Sequence, residues 1–365
     1  MKTAELDYDL PEALIATQPA EPRDSARLMV YRRASGTVEH RRVRDLPDLG
    51  VVGAGDLMLV NQTRVLPAYL SATRAATGGK VTGLYLDSPA DRVWRVMLES
   101  RGKLTPGETI TLDERAALTL QTREQGGQWL AQLSGDDDTL AVLHRLGSTP
   151  LPPYIRRARK QRGSAEVADA DTERYNTVYA GALDHARSVA APTAGLHFTP
   201  ALLDRLSALG IHRAAVDLHV GAGTFAPVRV DDLSDHPMHA EHLSIPASTI
   251  KALRTTRQQS RRILAVGTTT VRATESLPAD IAALCDTTDA PDYTADTRLF
   301  IQPDAGFTFR FTDALLTNFH LPRSTLLALV AALPGVGIGR LLDLYRQAID
   351  HGYRFYSYGD AMLID

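Results

Sequence analysis

The sequence predicts an α/β protein: a layered main domain around a mainly parallel sheet, with a small antiparallel β-barrel inserted into it. Three observations predict this. Leu57-Met58-Leu59-Val60 and Ile263-Leu264-Ala265-Val266 are continuous apolar runs, short enough for strands and without a solvent face, as expected of strands buried on both sides. Strand patterns alternate with helical ones through the second half of the chain, which calls for layers built on parallel strands. From Ala68 to about Leu133 the pattern becomes short alternating runs punctuated by Gly78-Gly79, Thr105-Pro106-Gly107 and Gly126-Gly127, the pattern of a small antiparallel sheet or barrel. The expected division is 1–66 with 148–365 for the α/β domain and 67–147 for the barrel. A decorated continuation of the main sheet is the alternative.

The chain has 365 residues, 44% hydrophobic and 23% charged, enough to bury a core in two domains of ordinary size. A formal net charge of -3 gives no bulk attraction for nucleic acid, so such binding would need a local basic face. The lone Cys285 excludes an internal disulfide or a thiolate cluster and fits a reducing, cytoplasmic setting. No apolar h-region follows Met1, and no run is long enough to span a bilayer.

In chain order, Leu10 to Ala16 reads as a short helix with Pro11 in its first turn. Leu28-Met29-Val30-Tyr31 is a strand, and the strand Leu57–Val60 delivers Asn61-Gln62-Thr63-Arg64 at its end, where α/β proteins place ligands. Within the barrel segment, Lys80–Leu86, Val93–Leu98 and Thr109–Leu112 are strands, and Thr139–Leu146 is helical. Leu151-Pro152-Pro153-Tyr154-Ile155 is a rigid connector. Five cations in the seven residues Arg156–Arg162 are either a phosphate-contacting patch or a solvated surface loop. Thr199 caps a helix with Pro200 in its first turn, ended by Gly210. Ala214–Val220 and Ile263–Val266 are strands, as are Leu299–Ile301 and Phe307–Phe309, while Pro246–Arg257, Ser324–Leu333 and Leu341–His351 are helices.

Chemistry concentrates where strands end. Gly267-Thr268-Thr269-Thr270 opens a helix after a strand, so free N–H groups and hydroxyls suit an anion, with Arg272 adding charge; the threonines could also simply cap the helix. His219 precedes Gly221-Ala222-Gly223-Thr224, whose glycines let a ligand approach the backbone. In His236-Pro237-Met238-His239-Ala240-Glu241-His242, His239 and Glu241 suit proton transfer or substrate positioning. A metal site is the competing reading, weakened by Pro237 and by the lack of a His-Glu-x-x-His arrangement. Asn318 and His320 end another strand pattern, and Tyr353–Tyr358 interleaves aromatics with Arg354, which suits stacking of unpaired bases or an aromatic edge of the core.

Together these residues resemble the S-adenosylmethionine:tRNA ribosyltransferase-isomerase family of queuosine biosynthesis over nearly the whole length. The resemblance rests on Asp7–Pro11, Gly55–Leu57, Asn61 with Thr63–Val65, Leu151–Ile155, Arg174-Tyr175, Thr177–Ala180, Ala190–Thr199, His219–Phe225, Met238–Glu241, Gly267–Arg272, Thr317–Pro322 and Tyr353–Leu363. It implies an α/β domain with an inserted barrel. It also implies transfer and isomerisation of the ribosyl moiety of S-adenosylmethionine onto 7-aminomethyl-7-deazaguanine at the tRNA wobble position, giving epoxyqueuosine-tRNA with release of adenine and methionine.

On that resemblance His219, His239, Glu241 and His320 are the proton-transfer candidates. Gly221, Gly223, Thr224, Gly267, Thr268, Thr269 and Arg272 are expected around S-adenosylmethionine. Asn61, Arg64, Tyr175, Thr193, His197, Arg354 and Tyr358 are expected on the substrate. S-adenosylmethionine would be a cosubstrate, with no prosthetic group or metal, and the protein a monomer. Tyr69, Gly83, Asn176 and Arg187 depart from the family pattern. The competing functions are a paralogue acting on a free deazapurine or nucleoside, and a non-catalytic RNA-binding protein.

Overall fold

A computed structural model describes residues 1–163, 168–182, 188–221, 228, 230–285, 290–303 and 305–365. Its strands are, in chain order, β1 (Arg27–Arg32), β2 (Thr37–Arg42), β3 (Leu57–Asn61), β4 (Tyr69–Arg74), β5 (Lys80–Ala90), β6 (Val93–Ser100), β7 (Thr109–Thr111), β8 (Ala117–Arg123), β9 (Gln128–Ser134), β10 (His212–Leu218), β11 (Glu241–Ile245), β12 (Ile263–Val266), β13 (Tyr293–Thr297), β14 (Ala314–Asn318) and β15 (Ala361–Ile364). The helices are α1 (Thr139–Leu146), α2 (Pro153–Gln161), α3 (Ala168–Arg174), α4 (Pro200–Ala208), α5 (Ala247–Gln258), α6 (Thr268–Glu275), α7 (Thr325–Ala331) and α8 (Gly337–Asp350).

Among the described residues nine strands form one sheet in the order β13-β11-β10-β3-β12-β14-β15-β1-β2, and β4 to β9 close into a separate barrel. The expected architecture is therefore present, with one refinement: the large sheet is mixed. Strands β10, β3, β12 and β14 pair in parallel at its centre, while β11 and β13 add on antiparallel at one flank. On the other flank β15 runs antiparallel to β14 and parallel to β1, and β2 closes the edge antiparallel. Parallel pairing brings Leu218, Asn61, Val266 and Asn318, the last residues of the central strands, to one edge.

The apolar runs are buried on both faces because alternate side chains serve different layers. Met29, Tyr31, Ala265, Leu315 and Met362 pack with α7 and α8. Leu28, Val30, Leu264, Leu316 and Leu363 pack with Leu202 and Leu206 of α4 on the opposite face. Helix α4 starts as expected: the Thr199 hydroxyl accepts from the Leu202 N–H at 3.2 Å, and Gly210 ends it at φ +76°. The barrel has its own core, in which Trp94, Val96, Ile110, Leu118 and Leu133 meet Val142 and Leu143 of α1. A Cβ at Gly83 would lie 2.5 Å from Leu98 Cδ2 and 3.0 Å from Met97 O, so a side chain there would have to displace the tip of Leu98.

Three local expectations are corrected. Leu10–Ala16 forms only a 3-10 turn, Glu12–Leu14, because Ile15 goes extended to pair with Phe355. Leu299–Ile301 and Phe307–Phe309 are irregular rather than strands. Their apolar side chains pack onto the core beside α7 and α8, with Phe307 and Phe309 edge-to-face at 5.1 Å, so packing rather than ladder pairing uses them. The basic run lies largely on α2, with Pro153 at its first turn, and it splits in character. Arg159 is buried and forks onto Asp171 of α3, whereas Arg157, Lys160 and Arg162 are exposed.

Candidate functional site

A small cavity of about 40 Å³ lies at the carboxyl edge of the central strands. Gly267, Thr268 and Thr269 reach it from the turn between β12 and α6, Thr317, Asn318 and His320 from the end of β14, and Val220 from just beyond β10. Ala191, Thr193 and Ala194 close it from the segment entering the 3-10 turn Thr193–His197, and Leu326 from α7. Gly267 takes φ +91°, a conformation that L side chains adopt rarely, which lets the chain turn sharply from strand into helix. No charged side chain is among these lining residues. The lining is hydroxyl, amide, imidazole and alkyl, which suits an uncharged or cationic ligand part better than a phosphate.

His320 is held on several sides. Its Nε2 is 2.8 Å from Thr317 Oγ1, its N–H donates to the Tyr345 hydroxyl at 2.9 Å, and its carbonyl accepts from the Tyr8 hydroxyl. Burial lowers its pKa to about 3, so it is neutral at physiological pH. Buried His197, behind the cavity, is likewise pushed down to about 4, chiefly by burial, and is also neutral. Its Nε2 is 3.3 Å from Asn318 Nδ2.

The other proton-transfer candidates do not line the cavity. His219 follows β10, 3.2 Å from Thr63 Oγ1 through Nδ1, and its ring stacks on His242 with centroids 5.8 Å apart. Glu241 begins β11 and is buried against Arg272 of α6, whose Nη1 donates to Oε2. The sequence had given these two residues separate tasks, and the structure brings them together. Arg272 also donates through Nε to Leu299 O at 3.2 Å, and its Nη2 is buried without a partner among the described residues. His239 is exposed.

Gly221 is exposed beside Val220, while Gly223 and Thr224, together with Arg187, lie outside the described residues. Of the substrate candidates, only Thr193 lines the cavity. Asn61 braces the strand ends: its amide donates to Leu218 O at 3.0 Å and accepts from the Thr63 and Leu218 N–H groups. Arg64 donates to Gly181 O at 2.7 Å. Asn176 plays a similar part, accepting from the Val65 N–H at 3.0 Å. Tyr175 and Tyr358 are buried edge-to-face at 5.8 Å, and Arg354 ties to Asp360 and Gln18.

Cavity-lining residues absent from the sequence-based candidate set are Asn318, Thr317, Ala191, Ala194, Val220 and Leu326. For Asn318 the signal was available, a polar residue closing a fully buried strand as Asn61 does. The alanines and Leu326 carried none, because alkyl cavity walls look like any core position.

Fold and site together define an α/β protein with an inserted barrel and a ligand cavity at the carboxyl ends of its central strands. The family described as Queuosine biosynthesis protein matches residues 3–364, and this chain belongs to it. It is 42% identical over 364 residues to the S-adenosylmethionine:tRNA ribosyltransferase-isomerase of Thermotoga maritima, covering 100% of both chains. To the protein of that name from Acidithiobacillus ferrooxidans it is 47% identical over 365 residues, covering 100% of this chain and 98% of the relative. A crystal structure of the S-adenosylmethionine tRNA ribosyltransferase from Thermotoga maritima superposes with a TM-score of 0.52 at 32% identity, covering 99% of this chain and 100% of that one. The chain is accordingly an enzyme of the transferase class. Among the described residues no helix is long and apolar enough to cross a membrane.

Proposed function

We propose that this enzyme, acting as a cytoplasmic monomer, transfers and isomerises the ribosyl moiety of S-adenosylmethionine onto 7-aminomethyl-7-deazaguanine at the wobble position of tRNA. The product is epoxyqueuosine-tRNA, and adenine and methionine leave. We also propose 67–147 as the inserted domain and the rest of the chain as the catalytic one.

The cavity is the observation that carries this reading, in a chain aligned end to end with relatives named for that reaction. Its uncharged, hydroxyl-rich lining is compatible with a sulfonium nucleoside, and a neutral His320 can offer hydrogen bonds there without setting a second positive charge beside the sulfonium. The sulfonium acidifies the neighbouring C5′–H, so a base beside the sugar can start the rearrangement. When the C5′–S bond breaks, its electron pair neutralises the sulfur and methionine departs. Adenine departs as its bond to the sugar breaks and its ring nitrogen gains a proton; the amine of the RNA base gives up a proton as its nitrogen bonds to carbon, and a sugar oxygen replaces sulfur on C5′ as the epoxide closes.

His320 is the proton-transfer candidate that lines the cavity; Glu241 is buried but outside the lining, His219 is half-buried and His239 exposed. The unpartnered Nη2 of Arg272, one helical turn beyond Thr268 and Thr269, is the donor we assign to the methionine carboxylate. The exposed cations Arg157, Lys160 and Arg162 are assigned to tRNA phosphates.

The test is incubation with S-adenosylmethionine and tRNA carrying the aminomethyl base, read by the mass of the modified nucleoside and by released adenine. Product mass with stoichiometric adenine supports the reading. An unchanged nucleoside overturns it.

A further inference from the structure

Among the described residues, two buried polar atoms of the cavity lining have no partner: Asn318 Oδ1 and Thr269 Oγ1. A buried polar atom left unpaired costs stability unless something else satisfies it, so each unpaired atom in a cavity marks where a ligand group belongs. Both residues line the same cavity, from neighbouring elements. β12 and β14 are neighbouring parallel strands, and the Gly267 N–H donates to Leu316 O at 2.8 Å, which sets the residues after β12 against the last residues of β14.

The orientation of the Asn318 amide is fixed by its surroundings. Nδ2 lies 3.1 Å from Tyr356 O, and a carbonyl can only accept, so the NH₂ end must face it. The same NH₂ lies 3.3 Å from Nε2 of His197, which is neutral and accepts there if its proton is on Nδ1. Turning the amide over would set two acceptors against Oδ1. Asn318 therefore presents an acceptor, and only an acceptor, as its unpaired end. The Thr269 hydroxyl in the same lining can donate or accept.

We propose that Asn318 and Thr269 read the six-position edge of the cosubstrate's purine: Oδ1 of Asn318 accepts from the exocyclic amine, and the Thr269 hydroxyl donates to the adjoining ring nitrogen. An amine beside a bare ring nitrogen is a donor next to an acceptor, the complement of this pair. The alkyl groups of Ala191, Ala194, Val220 and Leu326 in the same lining suit the faces of a flat ring. A six-oxo purine reverses the pattern. Thr269 adapts to the reversal by rotating its hydroxyl, but Asn318 cannot, so Asn318 is the specificity-determining residue.

This inference rests on the reading that the cavity takes S-adenosylmethionine, and the experiment separates the two. The intact enzyme is titrated calorimetrically with S-adenosylmethionine and with its hypoxanthine counterpart, S-inosylmethionine. The expected result is binding of the six-oxo compound weaker by about tenfold or more, because one buried acceptor then faces another. In Asn318→Ala that ratio should fall toward one, while the near-isosteric Asn318→Asp, still an acceptor, should keep the preference for the amine. Equal affinity of the unmodified enzyme for the two compounds overturns the purine-edge assignment alone. No binding of either overturns the reading of the cavity, and this assignment with it.

Discussion

Arg272 of α6 and Glu241 at the head of β11 form an ion pair that is almost wholly removed from solvent, with side-chain exposures of 6% and 4%. Removing one member of such a pair strands the other charge in a poorly solvating interior. Glu241→Gln or Arg272→Met should each lower unfolding stability by about 3–5 kcal/mol. The double variant should cost less than the sum of the two. Urea unfolding of the four proteins in the cycle measures this directly, and additive losses would show that the pair is not coupled.

Acid should destabilise the fold through its buried imidazoles. His320 and His197 have folded-state pKa values lowered to about 3 and about 4, against an ordinary 6.5. The unfolded chain therefore binds more protons than the folded one once pH falls below about 6.5. Stability contributed by each neutral imidazole is full above that pH, declines as pH falls, and stops declining near the folded pKa. At pH 5 each should have cost about 2 kcal/mol relative to neutral pH. Urea unfolding from pH 7.5 to 5 should show the slope, and His320→Gln should remove about one imidazole's share of it. An unchanged slope would mean that His320 is protonated in the folded state.

Gly195 is a second sensitive point. A Cβ there would lie 2.1 Å from the Tyr179 hydroxyl oxygen and 2.8 Å from Thr177 Cγ2. Gly195→Ala must push Tyr179 or the turn itself, and overpacking of this kind costs about 1–3 kcal/mol. Thr193 and Ala194 of the same turn line the cavity, so KM for S-adenosylmethionine should rise in this variant more than kcat falls. Thermal melting and steady-state kinetics give both numbers. An unaltered KM would detach the turn from the ligand.

These sites show how much the sequence revealed. Leu57–Val60 and Ile263–Val266 were legible because a strand covered on both faces has no polar alternative, and the turn signals around the barrel mark a change of architecture on their own. The location of the site was legible for the same reason, since polar residues closing such strands can only gather at one sheet edge. Partnership was not legible. Nothing in the spacing of Glu241 and Arg272 says that α6 packs over β11, or that Asn61 spends its amide on Leu218 while Asn318 keeps Oδ1 unpaired. Leu299–Ile301 and Phe307–Phe309 were misread because apolar side chains that pack on a core in irregular backbone alternate much as strand residues do.

Tyr69 supports the join between the barrel and the large sheet's side of the chain. Its backbone exchanges hydrogen bonds with Ser148, at 3.0 and 2.8 Å, and its ring lies under the Arg156 guanidinium of α2, 4.2 Å from the centroid. An arginine at 69 would set two cations against each other here, so the aromatic makes the basic helix compatible with the barrel's first strand. A cation over an aromatic face at a partly exposed site contributes about 0.5–1 kcal/mol. A double-mutant cycle of Tyr69→Leu and Arg156→Met should return a coupling energy of that size, read by urea unfolding. Amide hydrogen exchange at Tyr69 and Ser148 should speed up in either single variant while the barrel core, around Trp94 and Ile110, keeps its protection. A coupling energy near zero with unchanged exchange would leave the backbone pairing as the whole of the join.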